Sequence, residues 1–220
     1  MDRYPSLAIG HSLAFTLPFS SMKMLSFFSL GWLLLAGPLG SHAQGRYLTK
    51  TGHIDFFSGS PIEDIEANNN KVAAVLDLAT GQLAFSAPIR EFQFKRTLMQ
   101  EHFNENYLES EKYPKATFTG HFSGADAAAL GGAGAHPVQV EGDLTMHGVT
   151  RHISVPGTLE MKGGQLLANA TFNVAPADYN IEIPMLVRDR IAKSVRVRVV
   201  FSGTSTGGST VPLSSSAPAH

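Results

Sequence analysis

Two histidines within one short stretch are the first side chains in this sequence that could do chemistry. The stretch is GDLTMHGVTRHISV, residues 142–155, and it contains His147 and His152. A catalytic histidine needs a carboxylate that orients its ring and a nucleophile whose proton it accepts, and the sequence contains no G-x-S-x-G motif or other nucleophile motif. Gly148 is instead typical of a two-residue hairpin turn, because glycine readily adopts positive φ angles. We therefore predict a structural turn at His147 and no catalytic site.

Two further titratable residues would be the candidates if the protein were an enzyme. His102 lies on the apolar face of a predicted helix, and Asp77 interrupts the apolar run VAAVLDL. Either could act as a general acid or base on a molecule bound nearby. The nine histidines of the chain show no metal-ligand spacing, so no metal is expected. The absence of cysteine excludes disulfides, thiol catalysis and cysteine-ligated metals.

Length and composition indicate one globular domain. The chain has 220 residues, of which 43% are hydrophobic, and its formal net charge is -1. Phosphate binding requires a clustered excess of Lys and Arg, so this near-neutral balance argues against nucleic acid as a partner.

The N-terminus has the pattern of a secretory signal peptide within an N-terminal extension that covers residues 1–43. Lys23 precedes an apolar run over residues 25–36, and Ser41-His42-Ala43 then supplies small residues for cleavage between Ala43 and Gln44. The run is well short of the roughly 20 residues that a membrane-spanning helix needs, so a cleaved signal is favoured over an anchor. Met22 is a second plausible start. A secreted or periplasmic protein is expected, and no stable membrane span remains after cleavage.

Alternation of apolar and polar residues predicts strands through most of residues 44–203. The clearest segment is VQVEGDLTM, in which Val138, Val140, Leu144 and Met146 share one face. Similar extended patterns occupy residues 47–58, 62–67, 71–89, 116–122, 149–161, 166–175 and 194–202. Within 71–89, Thr80-Gly81 marks a hairpin, and Gly163-Gly164 marks another. In one continuous strand, Phe92 and Phe94 would lie on the opposite face from Phe85. A bulge near Pro88 is therefore predicted, because it would bring all three to the same face.

Three segments break the strand pattern. Leu98, Met99, His102 and Phe103 are spaced as in a short amphipathic helix over about 97–109. The loop SGADAAALGGAGAH is too small and Gly-rich to be expected to pack, and PADYNIEIPMLVRDRIAKS indicates an irregular loop with one helical turn. Residues 204–220 form a Ser/Gly-rich tail that is expected to be disordered.

About eight strands joined mainly by short turns suit an antiparallel meander that closes into a barrel. Small residues occupy several inward positions, namely Ala116, Gly120, Gly142, Ala168 and Ala170. They either leave room for a ligand or, in the case of the glycines, only relieve twist at barrel corners. A packed, ligand-free barrel that serves as an interaction or stress-protective module is therefore a third hypothesis, beside a ligand container and an enzyme that acts on a molecule held in the same lumen.

The sequence resembles the YceI-like family of secreted bacterial lipid-binding proteins. GDLTMHGVTRHISVPGTLE is similar to that family's G-D-L-T-[IL]-H-G-[VT]-T-[KR] signature, and the segment from Leu98 to Gly120, with its K-Y-P, resembles a second family motif. The resemblance covers about residues 46–203. It implies an all-β, eight-stranded, antiparallel, lipocalin-like β-barrel with one short helix and an apolar tunnel that holds a polyisoprenoid or a similar amphiphile.

This interpretation predicts a binding protein rather than an enzyme, with a hydrophobic small molecule as its partner and no cofactor beyond that bound lipid. The protein is expected as a monomer or a homodimer. The residues expected to line the tunnel or cover its end are Phe56, Phe85, Phe92, Phe94, Leu98, Met99, His102, Phe103, Phe118, Leu144, Met146, Val155, Ala170 and Phe172. Cations in or near the loops, among them Arg96, Arg188, Arg190 and Lys193, either meet a head group or are ordinary surface charges.

Overall fold

The structure, a computed structural model, describes residues 45–126 and 128–206. The expected signal segment, residues 1–43, and the tail beyond residue 206 lie outside the described residues. The nine strands are β1 (Arg46–Gly59), β2 (Asp64–Asp77), β3 (Gln82–Pro88), β4 (Gln93–Phe94), β5 (Lys115–Ser123), β6 (His136–Met146), β7 (Val149–Lys162), β8 (Gln165–Val174) and β9 (Val195–Ser205). The last strand therefore continues for two residues into the segment expected to be a disordered tail.

The helical elements are short. Helix α1 spans Thr97–His102 and continues into a π-helical turn over Phe103–Tyr107, close to the helix predicted for 97–109. The 3-10 turns lie at Ile89–Glu91, Ala129–Gly131, Pro176–Tyr179 and Met185–Arg190. In the described part of the chain, no helix has the length and apolar character needed to cross a bilayer.

Eight of the strands close into an antiparallel barrel. Their order is β1-β9-β8-β7-β6-β5-β3-β2, and β2 pairs again with β1 to complete the circle. The two-residue strand β4 pairs with β2 beyond the end of β3. This architecture confirms the eight-stranded barrel with a short helix that the sequence predicts.

The barrel wall bends where three neighbouring strands change phase at the same level. In β1 the register shifts between Thr49 and Gly52, and the 3-10 turn Ile89–Glu91 separates β3 from β4. Between them, the buried side chain of Asn69 donates from Nδ2 to the Pro88 carbonyl at 2.8 Å, and its Oδ1 accepts from the Lys71 N–H at 2.8 Å. Asn69 thus provides hydrogen-bond partners for two backbone groups at the bend. The 3-10 turn takes the place of the bulge predicted near Pro88.

One apolar core fills the end of the barrel that carries the β2–β3, β5–β6 and β7–β8 connections, which we call the far end. Its fully buried members include Leu76, Leu130, Leu166 and Phe201. The prediction that the Gly-rich loop after β5 does not pack is wrong, because its 3-10 turn carries Leu130 into this core with 1% of its surface exposed. A single leucine is enough to anchor a loop that is otherwise made of small residues.

The wall is open along part of one seam. Strands β7 and β8 pair only from Gly157 with Ala170 to Lys162 with Gln165, although β8 goes on pairing with β9 as far as Val174. Over 149–156, β7 pairs with β6 alone among the described residues. The β7–β8 ladder stops next to Pro156, which has no N–H to donate. The two strands therefore diverge toward the opposite end of the barrel, which we call the mouth.

Candidate ligand-binding site

A cavity of about 540 Å³ runs inside the barrel between the far-end core and helix α1. Its volume falls in the roughly 300–1,000 Å³ range of small-molecule pockets. Side chains therefore do not fill the interior, contrary to what the packed-barrel hypothesis requires. The open seam borders the cavity, because Val155 of β7 and Phe172 of β8 both line it.

All fourteen residues predicted to surround a ligand line this cavity. The strands and the segment after β3 contribute Phe56, Phe85, Phe92, Phe94, Phe118, Leu144, Met146, Val155, Ala170 and Phe172, and the helical segment contributes Leu98, Met99, His102 and Phe103. The structure gives their position around the cavity, and their contact with a ligand stays a prediction. Strand alternation explains the agreement for the strand residues, because it assigns inward and outward faces residue by residue, and helical spacing explains it for the helical segment.

The small inward residues divide into two groups. Ala116, Ala168 and Ala170 line the cavity and leave space in it. Gly120 and Gly142 instead face each other across β5 and β6. A Cβ on Gly120 would lie 2.2 Å from the Glu141 carbonyl oxygen and 2.9 Å from the Phe118 ring. The interpretation that these two glycines create ligand space is wrong, because they allow close backbone approach and leave room for the Phe118 ring.

Four phenylalanines form a continuous cluster beneath helix α1. The ring of Phe56 lies 5.7 Å from Phe92, 5.8 Å from Phe94 and 5.6 Å from Phe103, measured between centroids. Phe103 also lies 4.9 Å from Phe94 and 5.5 Å from Phe92. Ring pairs at these separations stabilise each other beyond the effect of burial alone. The cluster holds the helical segment over the mouth and gives the cavity an aromatic wall.

Charge is confined to the mouth. Among the cavity-lining residues that the structure describes, the charged side chains are Glu63, Arg96 and Arg190. Arg96 and Glu63 form an ion pair between the start of α1 and the β1–β2 turn. His102 is exposed at this rim rather than buried in the core. A ligand with a polar end and an apolar chain would therefore be oriented with its polar end at the mouth.

Several cavity residues are absent from the set that the sequence predicts. They are Tyr107 at the end of the helical segment and Ile181, Ile183, Val187 and Ile191 in the connection between β8 and β9. The sequence pattern of that connection indicates an irregular loop, and the short alternation in IEI is its only signal of inward side chains. Burial raises the pKa of Tyr107, so its hydroxyl stays protonated and can donate a hydrogen bond.

His147 joins three segments at the mouth, outside the cavity lining. It occupies the β6–β7 turn with φ 51°, followed by Gly148 with φ 75°, as a two-residue hairpin requires. Its Nε2 lies 2.8 Å from Oε2 of Glu109, and its Nδ1 lies 3.0 Å from the Tyr179 carbonyl oxygen. The Tyr113 ring packs edge-on at 4.7 Å. An orienting carboxylate is thus present, but the other nitrogen meets a backbone carbonyl rather than a nucleophile, which makes the residue an anchor.

Asp77, the other enzyme candidate, does not line the cavity. It ends β2 at the far end, where Oδ1 accepts from the N–H groups of Ala79 and Thr80 at 3.0 and 3.2 Å. Arg46 lies 3.5 Å from its Oδ2. Partial burial acts to raise the pKa of Asp77, but these hydrogen bonds and the Arg46 charge outweigh it and hold the pKa below its usual value of 3.8. The side chain stabilises a turn.

The described residues contain no group of three or more His, Asp or Glu side chains arranged to hold a metal ion. None of the curated proteins compared with the sequence matches it.

Solved structures that share this fold include proteins from three bacteria. A polyisoprenoid binding domain from Saccharophagus degradans implicated in plant cell wall breakdown has a TM-score of 0.62 and 18% identity, covering 73% of this chain and 98% of that chain. BcnA from Burkholderia cenocepacia has a TM-score of 0.59 and 17% identity, with 70% and 96% covered. A YCEI protein from Campylobacter jejuni has a TM-score of 0.50 and 14% identity, with 62% and 82% covered. At these identities the likeness establishes the fold alone.

The sequence itself establishes the family. Residues 40–202 match the YceI-like domain, which is nearly the whole of the barrel. The match includes the His147-Gly148 turn and the helical segment, the two segments that carry the resemblance in the sequence. The chain belongs to the YceI-like domain family.

Proposed function

We propose that this protein binds a hydrophobic, isoprenoid-like amphiphile inside the barrel and shields it from water in the periplasm or outside the cell. The observation that carries the proposal is the cavity of about 540 Å³, whose lining is mostly apolar and whose charged side chains lie at the mouth. The apolar chain of the ligand would lie against the phenylalanine cluster and reach toward the far end. Its polar end would remain beside Arg96 and Arg190.

The energetics of burial are favourable for such a ligand. Each methylene removed from water contributes about 0.8 kcal/mol, and micromolar affinity corresponds to about 8 kcal/mol. About ten buried methylenes would supply that amount before the cost of association is subtracted. Because the cavity lining is mostly apolar, shape and apolar area would govern which chain is accepted.

The family and one structural relative give further support. The Saccharophagus degradans domain is described as polyisoprenoid binding, and it shares this fold. Of the two enzyme candidates, His102 lines the cavity at its rim, whereas Asp77 lies outside the lining at the far end, so the two do not form a catalytic pair. Binding without turnover is therefore the function that the geometry supports best.

Native mass spectrometry tests the proposal. The exported protein should be purified without detergent and measured intact, and its organic extract should then be analysed for lipids. We expect a bound mass that disappears on extraction and corresponds to a long apolar chain. An apo mass throughout, together with no uptake of a fluorescent polyprenyl probe by the purified protein, would overturn the proposal.

The location is a separate part of the proposal and has its own test. The chain should be expressed in a Gram-negative host, and the N-terminus of the periplasmic product should be sequenced. Processing between Ala43 and Gln44 is expected, and a variant that lacks residues 22–43 should remain in the cytoplasm as the control. An unprocessed full-length chain in the cytoplasm would contradict export.

A further inference from the structure

The rim of the mouth carries an unusual share of exposed apolar side chains. Ile62, Leu98, Met185 and Leu186 are exposed to 60%, 62%, 81% and 96%. Among the described residues, the other exposed large apolar side chain is Leu48 at 42%, and its strand position is near the far end. Isolated exposed leucines are ordinary, but apolar side chains gathered around one opening mark an interaction surface.

Specific contacts bring these residues to the same rim. Glu63, which follows Ile62, pairs with Arg96 just before helix α1 and Leu98. The N–H of Ala192 donates to Ser58 Oγ at 2.9 Å, which fixes the end of the loop containing Met185 and Leu186 beside the end of β1. Val187 and Arg190 from that loop line the cavity together with Leu98. The exposed side chains therefore surround the cavity opening.

An excess of positive charge lies in the last ten residues of the β8–β9 connection, after the acidic Asp178 and Glu182. Residues 185–194 contain Arg188, Arg190 and Lys193 against a single acid, Asp189. None of these three cations forms a salt bridge within the described residues, whereas Lys95 and Arg96 are paired with Glu66 and Glu63. An exposed apolar pair closely followed by cations without salt-bridge partners matches the composition of segments that insert at the surface of an anionic bilayer.

We propose that this rim docks on an anionic lipid bilayer. Met185 and Leu186 enter the boundary between head groups and acyl chains, while Arg188 and Lys193 contact lipid phosphates. Docking in this way turns the cavity opening toward the bilayer, so an apolar ligand can pass between membrane and barrel without crossing water. The inference rests on the proposed function for its purpose, but the docking itself can be measured without any ligand.

Vesicle flotation tests the proposal directly. The exported protein is mixed with vesicles of equal parts phosphatidylglycerol and phosphatidylcholine, or of phosphatidylcholine alone. We expect binding to the anionic vesicles and a loss of about tenfold or more at high salt, because screening weakens contacts between surface charges. Absence of binding to anionic vesicles at low salt would overturn the proposal.

Variants distinguish the rim from the rest of the surface. Met185→Ser with Leu186→Ser, and separately Arg188→Gln with Lys193→Gln, should each reduce anionic-vesicle binding about tenfold. Ile62→Ser is a second apolar variant, and Leu48→Ser at the far end is the matched control, which should bind as the parent does. Equal losses in Leu48→Ser and in the rim variants would contradict the assignment.

Two further measurements separate membrane docking from ligand binding and from dimer formation at the rim. Lipid content, measured by native mass spectrometry on the same preparations, should be unchanged in the rim variants, so that loss of docking is not mistaken for loss of the ligand. Light scattering gives the oligomeric state. If the Met185→Ser, Leu186→Ser variant abolishes a dimer and leaves vesicle binding intact, the rim is an interface between two copies and the proposal is wrong.

Discussion

Nε2 of His147 lies 2.8 Å from Oε2 of Glu109, which joins the β6–β7 turn to a residue 38 positions earlier in the chain. Nδ1 of the same ring meets the Tyr179 carbonyl at 3.0 Å. A carbonyl and a carboxylate both accept hydrogen bonds, so each ring nitrogen of His147 faces an acceptor. Glu109, His147 and Asn180 all have positive φ. Three tightly bent segments at the mouth are therefore held by one imidazole.

Replacing this imidazole should destabilise the barrel. His147→Ala removes two hydrogen bonds and places alanine at positive φ, and we expect a loss of about 1–3 kcal/mol in the free energy of unfolding. Chemical denaturation measures this loss. A double-mutant cycle with Glu109→Gln would isolate the pair. His152→Ala is the control, because His152 pairs with Asp143 in the open, with 66% and 62% of the two side chains exposed, and should change stability little. Equal effects of the two alanines would contradict the anchor role.

Filling the cavity from one strand should displace the ligand. Ala170 lines the cavity at the point where the β7–β8 ladder ends. Ala170→Trp should reduce lipid occupancy while the barrel remains folded, because the indole enters empty space. Thr171→Trp is the matched control, since its side chain lies on the exposed face of the same strand. Lipid content and melting temperature are measured on one preparation. If Ala170 were tightly packed, the substitution would instead cost about 1–3 kcal/mol and leave the lipid content unchanged.

Adding a single methyl group where Gly120 and Gly142 pair between β5 and β6 should destabilise the barrel. A Cβ on Gly120 would lie 2.2 Å from the Glu141 carbonyl oxygen and 2.8 Å from the Gly142 Cα. Gly120→Ala is expected to lower stability by about 3 kcal/mol, since backbone on the neighbouring strand must move. Gly131→Ala is the control, because a Cβ there meets nothing within 4 Å. Thermal unfolding measures both variants. A lower melting temperature in Gly120→Ala alone would show that the close approach of the two backbones causes the loss, and equal losses in both variants would contradict this explanation.

Low pH should reduce the stability of the protein by protonating Asp77 at the far end of the barrel. The pKa of Asp77 is lower in the folded protein than its usual value of 3.8, so the ionised form favours folding. This contribution is fully present above the unfolded pKa and is lost as the pH falls through the folded one. Asp77→Asn should therefore have a lower free energy of unfolding than the parent protein at neutral pH. Under acidic conditions this difference between the two proteins should become smaller. Urea titrations at several pH values measure it, and a constant difference would contradict the mechanism.

The barrel could be predicted because its determinants are local and periodic. In strand β6, apolar residues alternate with polar ones, and the apolar residues are Val138, Val140, Leu144 and Met146. This alternation alone assigns their side chains to the inner face of the barrel. The strand residues of the cavity lining follow from the same alternation, and the helical spacing of Leu98, Met99, His102 and Phe103 accounts for the rest of the predicted set. The His147-Gly148 turn was recognisable because a two-residue connection with glycine second is typical of a tight β-hairpin.

What could not be predicted depends on contacts between distant segments. Nothing near Asn69 in the sequence shows that its side chain would reach Pro88 and support a bend across three strands. Leu130 lies among alanines and glycines, and its burial depends on core residues from other strands. The carboxylate beside His147 comes from Glu109, which is on the helical side of the mouth. Composition also could not separate Gly120 from Ala170, because both are small and inward.

The open seam between β7 and β8 bears on how this protein avoids self-association. Complete barrels have no free strand edge, whereas an exposed edge can recruit a strand from another chain and seed aggregation. Here the free edge of β7 carries Pro156 at one end, where an incoming strand would find no N–H. Toward the other end, the exposed Arg151 donates from Nε to the Asp178 carbonyl at 2.9 Å and holds the Pro176–Tyr179 turn beside the strand. The wall can therefore stay open beside the cavity without becoming a template for intermolecular β-sheet.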